Sequence, residues 1–388
     1  MLLSNFDYGL DAVSRRLSRR WLDLDATSVL VILIRLVGRD VVQRAGDVVE
    51  ECFDRLDEYH GYEVLVKGLM SVLAEVVEAI AADRDAQAPL QTGDAADKSH
   101  PRSMQGFLEW FTHRNDSNPS LDPDEDVGPV PQEAWGSPQQ EEADATAPDP
   151  IETPPSTPTE LLVQQIISRS LYFLTHDSRL IRARILTLLA SAATVLPAAL
   201  ILPSIHHAWP FVLNRLADPE PFVVSAAATL IENLAIHFGD FMYGRIWDDV
   251  WPRFLYILRK LEMADSSNAL SRRGPGAVGT ESAYTHSHRL YRSLLRTMTA
   301  AIQGVQVKDD AVWDVIVAHR RFLHSEAHEE LQSCARELYV RIGKKNEDAV
   351  WFALTATQDP LGGWTHLHEP QWNVTLNTEL VLQNLRNT

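Results

Sequence analysis

Along most of the chain, apolar residues recur at helical intervals, and no window alternates apolar with polar long enough to read as a strand. Leu180, Ile181, Ile185, Leu188 and Leu189 follow an i, i+4, i+8 pattern. Phe6, Tyr8, Leu10, Val13 and Leu17 place a helix almost at the start of the chain. The helices also repeat. Asp177-Ser-Arg-Leu-Ile-Arg182 opens one helix and Asp218-Pro-Glu-Pro-Phe-Val223 another, 41 residues later. Trp209-Pro210 and Trp251-Pro252 stand 42 apart, and Trp313 lies 43 further on once a Ser/Gly/Arg-rich insertion at about 264–282 is set aside. A constant offset of this size matches paired-helix repeats of the HEAT type, whose period is about 40–47 residues. Aspartate suits such helix starts, because its carboxylate accepts orphan N–H groups at the positive end of the dipole. The pattern predicts an all-α fold, a HEAT-repeat α-solenoid. A stacked array normally carries polar caps, and the apolar opening leads us to expect the latter part of a longer solenoid.

One segment breaks the pattern. Residues 81–160 hold 17 acidic and 4 basic side chains and 12 of the 21 prolines. Such a stretch cannot bury enough apolar area to offset chain entropy. It reads as a disordered acidic insertion over 83–158, dividing N-terminal repeats (1–82) from a larger solenoid (159–360) and a C-terminal tail (361–388). Within it, Phe107, Leu108, Trp110 and Phe111 form a compact apolar cluster, either folded back on the solenoid or a linear motif for a partner's groove. Ser137, Thr153 and Thr157 precede prolines, and Thr146 and Thr157 have an acid three residues on. These four are the candidate phosphorylation sites, effective only where a basic pocket reads the phosphate.

The net charge of −18 opposes a nucleic-acid-coating role. Cys52 and Cys334 are too few and too far apart for a disulfide framework and read as buried thiols. Ile185–Pro203 lacks charge over 19 residues, but Pro197 interrupts it, so a buried solenoid helix is expected rather than a membrane span. Gly274-Pro-Gly276-Ala-Val-Gly279 fits the dinucleotide pattern only in letters, since no strand precedes it. His324 and His328 would share a helix face, but without a ligand set at metal spacing, and His206-His207 and His366-x-His368 fare no better. No catalytic, cofactor or metal residues are assigned.

Arginines at helix starts, among them Arg179, Arg182 and Arg184, read as ties between repeats through carboxylates. Arg15, Arg16, Arg19 and Arg20 give the first helix four more. The candidate protein-binding residues are large aromatics near the end of the array. Trp351 and Phe352 lie on what should be the last regular helix, and Trp364 and Trp372 follow in irregular sequence. Two readings stand level: a cap on the array's apolar end, or a docking hot spot, where tryptophan is favoured.

Leu56-Asp-Glu-Tyr-His-Gly-Tyr62 with Leu65-Val66 and Val72-Leu73 resembles the central segment of the first Tel-two-interacting protein family, the large HEAT-repeat subunits of the Triple-T complex. Asn5-Phe-Asp-Tyr8, Leu202-Pro-Ser-Ile-His-His-Ala-Trp-Pro210, Gly239-Asp-Phe241 and Asp248-Asp-Val-Trp-Pro-Arg-Phe254 continue the likeness. Ser225 departs from it, standing where many HEAT helices place arginine, which puts the repeat-to-repeat bond there in doubt. The resemblance implies a non-enzymatic adaptor that binds Tel-two and the second Tti subunit. It also implies a role in supporting phosphatidylinositol-3-kinase-related kinases of the TOR, ATM and ATR type together with heat-shock chaperones. Nucleic acid and membrane are not expected partners, and the cytoplasm, with the nucleus second, is the expected compartment. The rival readings are another HEAT scaffold, such as a nuclear-transport or phosphatase adaptor, and an enzyme hidden in an all-helical fold.

Overall fold

A computed structural model describes residues 24–38, 45–87, 156–264, 283–359 and 363–387, together with Tyr8, Ala12, Arg15 and Arg16. The aromatic cluster Phe107–Phe111, Ser137, Thr146, Thr153, Arg19, Arg20 and the Gly274–Gly279 pattern lie outside the described residues. Every described element belongs to one compact unit, residues 1–87 with 156–388.

The elements are α1 Leu24–Val37, α2 Ala45–Tyr59, α3 Glu63–Gln87, α4 Pro158–Ser170, α5 Arg179–Val195, α6 Ala198–Arg215, α7 Pro221–His237 and α8 Gly239–Gly244. They continue with α9 Trp251–Ala264, α10 Ala283–Gly304, α11 Asp309–His319, α12 Glu329–Gly343, α13 Glu347–Gln358 and α14 Thr375–Arg386. A π-helical turn, Arg245–Val250, joins α8 to α9. The prediction of an α-solenoid holds. Helices α1, α3, α5, α7, α10, α12 and α14 pack in succession as one row, and α2, α4, α6, α9, α11 and α13 form the other.

Small residues set the spacing of the first row. Ala190, Ala193, Ala227, Ala228, Ala235 and Ala301 are all buried there. A Cβ on Gly304 would collide with the carbonyl oxygen of Ala235, and one on Gly239 with that of Gly304. Only glycine admits so close a backbone approach. The row also runs on across the acidic insertion: α3 packs on α5, and Ser178 Oγ bonds Glu63 at 2.5 Å.

The tryptophan period marks real equivalence. Trp209 on α6 and Trp251 at the start of α9 are both buried in the other row, and Trp209 Nε1 donates to Asp249 at 3.0 Å. Pro197 interrupts the uncharged run as expected, splitting it between two helices: α5 stops at Val195 and α6 starts at Ala198. Among the described residues, no helix is long and apolar enough to cross a membrane.

Arginines tie the repeats. Arg182 Nη2 lies 2.9 Å from Asp218 Oδ2, Arg179 pairs with Glu220, and Arg292 Nη1 meets Glu330 at 2.5 Å. Asp218 does not cap α7 from the cap position, which Glu220 occupies. It sits in the turn before, where its Oδ1 accepts from the Glu220 N–H at 3.1 Å. Ser225 contributes despite the missing guanidinium, since its hydroxyl meets that of Ser293 at 2.5 Å. One turn further along α10, Thr297 donates to Ala228 O at 2.9 Å.

Two expectations about helix ends are revised. Helix α3 continues to Gln87, five residues beyond the expected boundary. The expected C-terminal tail, 361–388, holds a further regular helix after its irregular first part, because α14 occupies Thr375–Arg386 and closes the row against α12. Trp351 and Phe352 therefore lie on the penultimate regular helix. The face of α14 toward α12 buries Asn377, Thr378 and Val381, while its outer face is mostly polar, broken by Leu376 and Leu380.

His319 adds a pH dependence. Its Nδ1–H donates to Val315 O at 2.8 Å, its buried Nε2 has no partner, and its ring stacks on Trp251. Burial, aided by the nearby Arg321 and opposed by the hydrogen bond to Val315, lowers its pKa to about 4. The unfolded chain, with the usual value near 6.5, then binds the proton more readily. This contribution to stability is present above pH 6.5 and is lost as pH falls toward 4. His319→Gln should weaken the acid dependence of the melting temperature across that window, and an unchanged slope would contradict it.

Candidate functional site

The C-terminal aromatics fall into two groups. Phe352 on α13 lies 6.1 Å, centroid to centroid, from Trp313 on α11. Trp364 sets its edge against Phe352 at 5.3 Å and approaches His366 at 5.6 Å. An edge-to-face pair of this kind adds about 0.5–1.5 kcal/mol beyond its area. Trp364 nevertheless remains 45% exposed, and Trp351, one residue before Phe352, 49%. These two rings are available to a partner, whereas Phe352 anchors Trp364.

Trp372 behaves differently. It is half-buried against the core and lies 5.9 Å from the guanidinium of Arg320. Arg320 is itself buried and, among the described residues, is paired with no carboxylate. Its Nη1 donates to Thr357 Oγ1 at 2.8 Å and to Leu367 O at 2.6 Å. Burial lowers its pKa. This cation pins the residues after Pro360 to α13 through neutral acceptors. Of the four predicted aromatics, Trp372 and Phe352 thus pack inward, and Trp351 and Trp364 form the accessible surface.

The sequence reading missed other exposed apolar groups. Val29, Ile32 and Leu36 share one face of α1, and Tyr172, Tyr256 and Met263 stand out from the solenoid. Tyr62, in the α2–α3 turn, packs its ring edge-on to Tyr59 at 6.0 Å yet stays exposed. Thr157, the one candidate phosphorylation site within the described residues, is the N-cap of α4. Its hydroxyl accepts from the Glu160 N–H at 3.2 Å while Glu160 reaches back to the Thr157 N–H at 2.9 Å. Phosphate there would displace a capping box and face the Glu160 carboxylate. Cys52 is fully buried and its thiol is pushed up to about 12 by desolvation, so it is inert.

The histidines do not lie as the spacing predicts. His324 ends a short 3₁₀ turn and His328 caps α12, so they share no helix face. His328 instead meets His288 of α10, ring centroids 4.4 Å apart. His206 contacts Arg245 Nη2 at 3.0 Å, in a stack where that guanidinium covers Phe241 at 3.7 Å.

Two rows of paired helices, stitched at their seams and ending in half-exposed tryptophans, define a helical-repeat scaffold. Importin beta, with a TM-score of 0.50 and 11% identity, covers 99% of this chain with 44% of its own and shares this fold. The family model "TTI1 C-terminal TPR domain" matches residues 72–351, and "TELO2-interacting protein 1" matches residues 1–53. The chain belongs to the TELO2-interacting protein 1 family. The mouse TELO2-interacting protein 1 homolog is 23% identical over 95% of this chain and 34% of its own length. For the human homolog the figures are 23%, 93% and 33%, and for TEL2-interacting protein 1 of Saccharomyces cerevisiae 21%, 68% and 29%. The chain thus spans about a third of the length of these relatives. Although the matching model carries the TPR name, the 42-residue spacing here exceeds the 34 residues of a TPR unit.

Proposed function

We propose that this chain acts as a non-enzymatic adaptor, the part of a Triple-T complex subunit that binds Tel-two and the second Tti subunit. Through them it supports folding and assembly of phosphatidylinositol-3-kinase-related kinases of the TOR, ATM and ATR type with the heat-shock chaperone system. Cytoplasm and nucleus are the proposed compartments. Family membership over residues 72–351 is the observation that carries this reading. The physical case is that a solenoid spreads many moderate contacts along an extended surface. Trp351 and Trp364 supply large apolar area with few rotors to freeze.

Co-purification of the chain with Tel-two and the second Tti subunit, sized by light scattering, tests the reading. A stoichiometric complex is expected. A well-behaved monomer that ignores both partners would sink it and leave a generic HEAT scaffold, of the nuclear-transport or phosphatase kind, in its place. The aromatic surface has its own test. Trp351→Ala with Trp364→Ala should weaken assembly by about 2 kcal/mol or more, roughly thirtyfold, with little change in melting. Unaltered affinity would remove these residues from the interface.

A further inference from the structure

We propose that His288, His328 and Glu330 form a binding site for a zinc-type divalent cation across the seam between α10 and α12. One nitrogen from each imidazole and one oxygen of the carboxylate lie within 4.8 Å of one another. The Nε2 of His288 is buried and has no hydrogen-bond partner, which normally costs stability unless something binds there. Glu330 Oε2 stands 3.7 Å from it.

The donor set suits the ion. Two neutral imidazoles and one carboxylate are a common zinc triad, leaving a fourth position for water or a partner's side chain. Tetrahedral ligands about 2.0 Å from zinc stand roughly 3.3 Å apart, so small side-chain rotations close the triangle. Arg292 does not occupy the needed oxygen. Its Nη1 bonds Glu330 Oε1 at 2.5 Å, leaving Oε2 turned to His288 and giving the ligand carboxylate the outer hydrogen bond that metal ligands usually have. His328 Nδ1 accepts the Glu330 N–H at 3.2 Å, the long end of the range. Binding through either ring nitrogen gives up that contact. Burial, and then His328, lower the pKa of His288 and favour its neutral, ligating form. The carboxyl of Glu330 is lowered by its hydrogen bond to Arg292 and stays ionised.

His288 and His328 are 40 residues apart and come from successive helices of one row, so the ion would staple neighbouring repeats beside the Arg292–Glu330 tie. Cys334, one turn beyond Glu330 on α12, is not in the group.

The test uses the full chain, stripped with chelator and dialysed against zinc in the presence of excess magnesium. One zinc retained per chain is expected, together with an intense tetrahedral absorption when cobalt(II) replaces it. His288→Gln and His328→Asn, the latter keeping an N-cap acceptor, should each weaken zinc binding at least tenfold with unchanged circular dichroism. Zinc well below one per chain, or equal retention in both folded variants, overturns the site. If a variant unfolds, the unaltered chain decides: only the weak spectrum of six-coordinate cobalt would overturn the site, and the tetrahedral spectrum would uphold it.

Discussion

A chain ending at Pro360 loses the ordered packing of its last repeats, not just a binding tail. The residues removed include Leu367, Val374 and Val381, all buried, and they also satisfy buried polar groups that remain. Arg320 loses its acceptor at Leu367 O and the Trp372 ring. Asn377 donates to Leu323 O at 2.7 Å and to Gln332 at 2.8 Å, and accepts from Arg336 at 2.7 Å. Each buried group left without a partner costs about 1–3 kcal/mol, more when charged. Several such losses in one place exceed the few kcal/mol that hold a terminal repeat in a one-dimensional array. Hydrogen exchange over α12 and α13 should therefore rise by orders of magnitude, and a lower-temperature melting step should appear. The capping reading fails if the truncated chain melts like the full one and loses only partner binding.

What could be read in the residues, and what could not, follows from the kind of interaction involved. The repeat was legible because helix starts and the Trp-Pro pairs report on their own few neighbours, and stacking then copies them every 42 residues. The arginine ties were legible for a related reason: Arg182 stands in the first turns of one helix of the row and Asp218 just before the next, places that stacking of successive repeats brings together. Helix α14 escaped notice because its core-facing positions include Asn377 and Thr378, polar residues that a count of apolar positions assigns to solvent. Their burial makes sense only once α12 supplies Gln332 and Arg336. The division of the aromatics into inward-packed and accessible depended likewise on Arg320, which finds its acceptors 37 and 47 residues away. His288 and His328 meet across the rest of α10, all of α11 and a 3₁₀ turn, so no local spacing could pair them.

The tie between α5 and α7 yields the second large effect. Asp218 is 2% exposed at its side chain and Arg182 10%, so this is a buried ion pair and not a surface one. The arrangement is fully used. Arg182 Nε and Nη2 face Asp218 Oδ2, and Nη1 donates to His176 O and Asp177 O at 2.9 and 2.8 Å. Arg215 Nη1 stands 3.4 Å from the same oxygen. Asp218→Ala leaves a buried guanidinium with half its donors idle and strips the Glu220 N–H of its acceptor at the head of α7. Breaking a buried pair from one side costs about 3–5 kcal/mol, and a loss of that size should appear as a lower denaturation midpoint with the slope retained. The reciprocal change, Arg182→Leu in the Asp218→Leu background, removes both charges together and should recover part of the loss, because the desolvation penalty goes with them. If Asp218→Ala costs less than about 1 kcal/mol, the range of an exposed pair, then the seam is held by the small-residue packing of α5 on α7 and the ion pair is incidental to it.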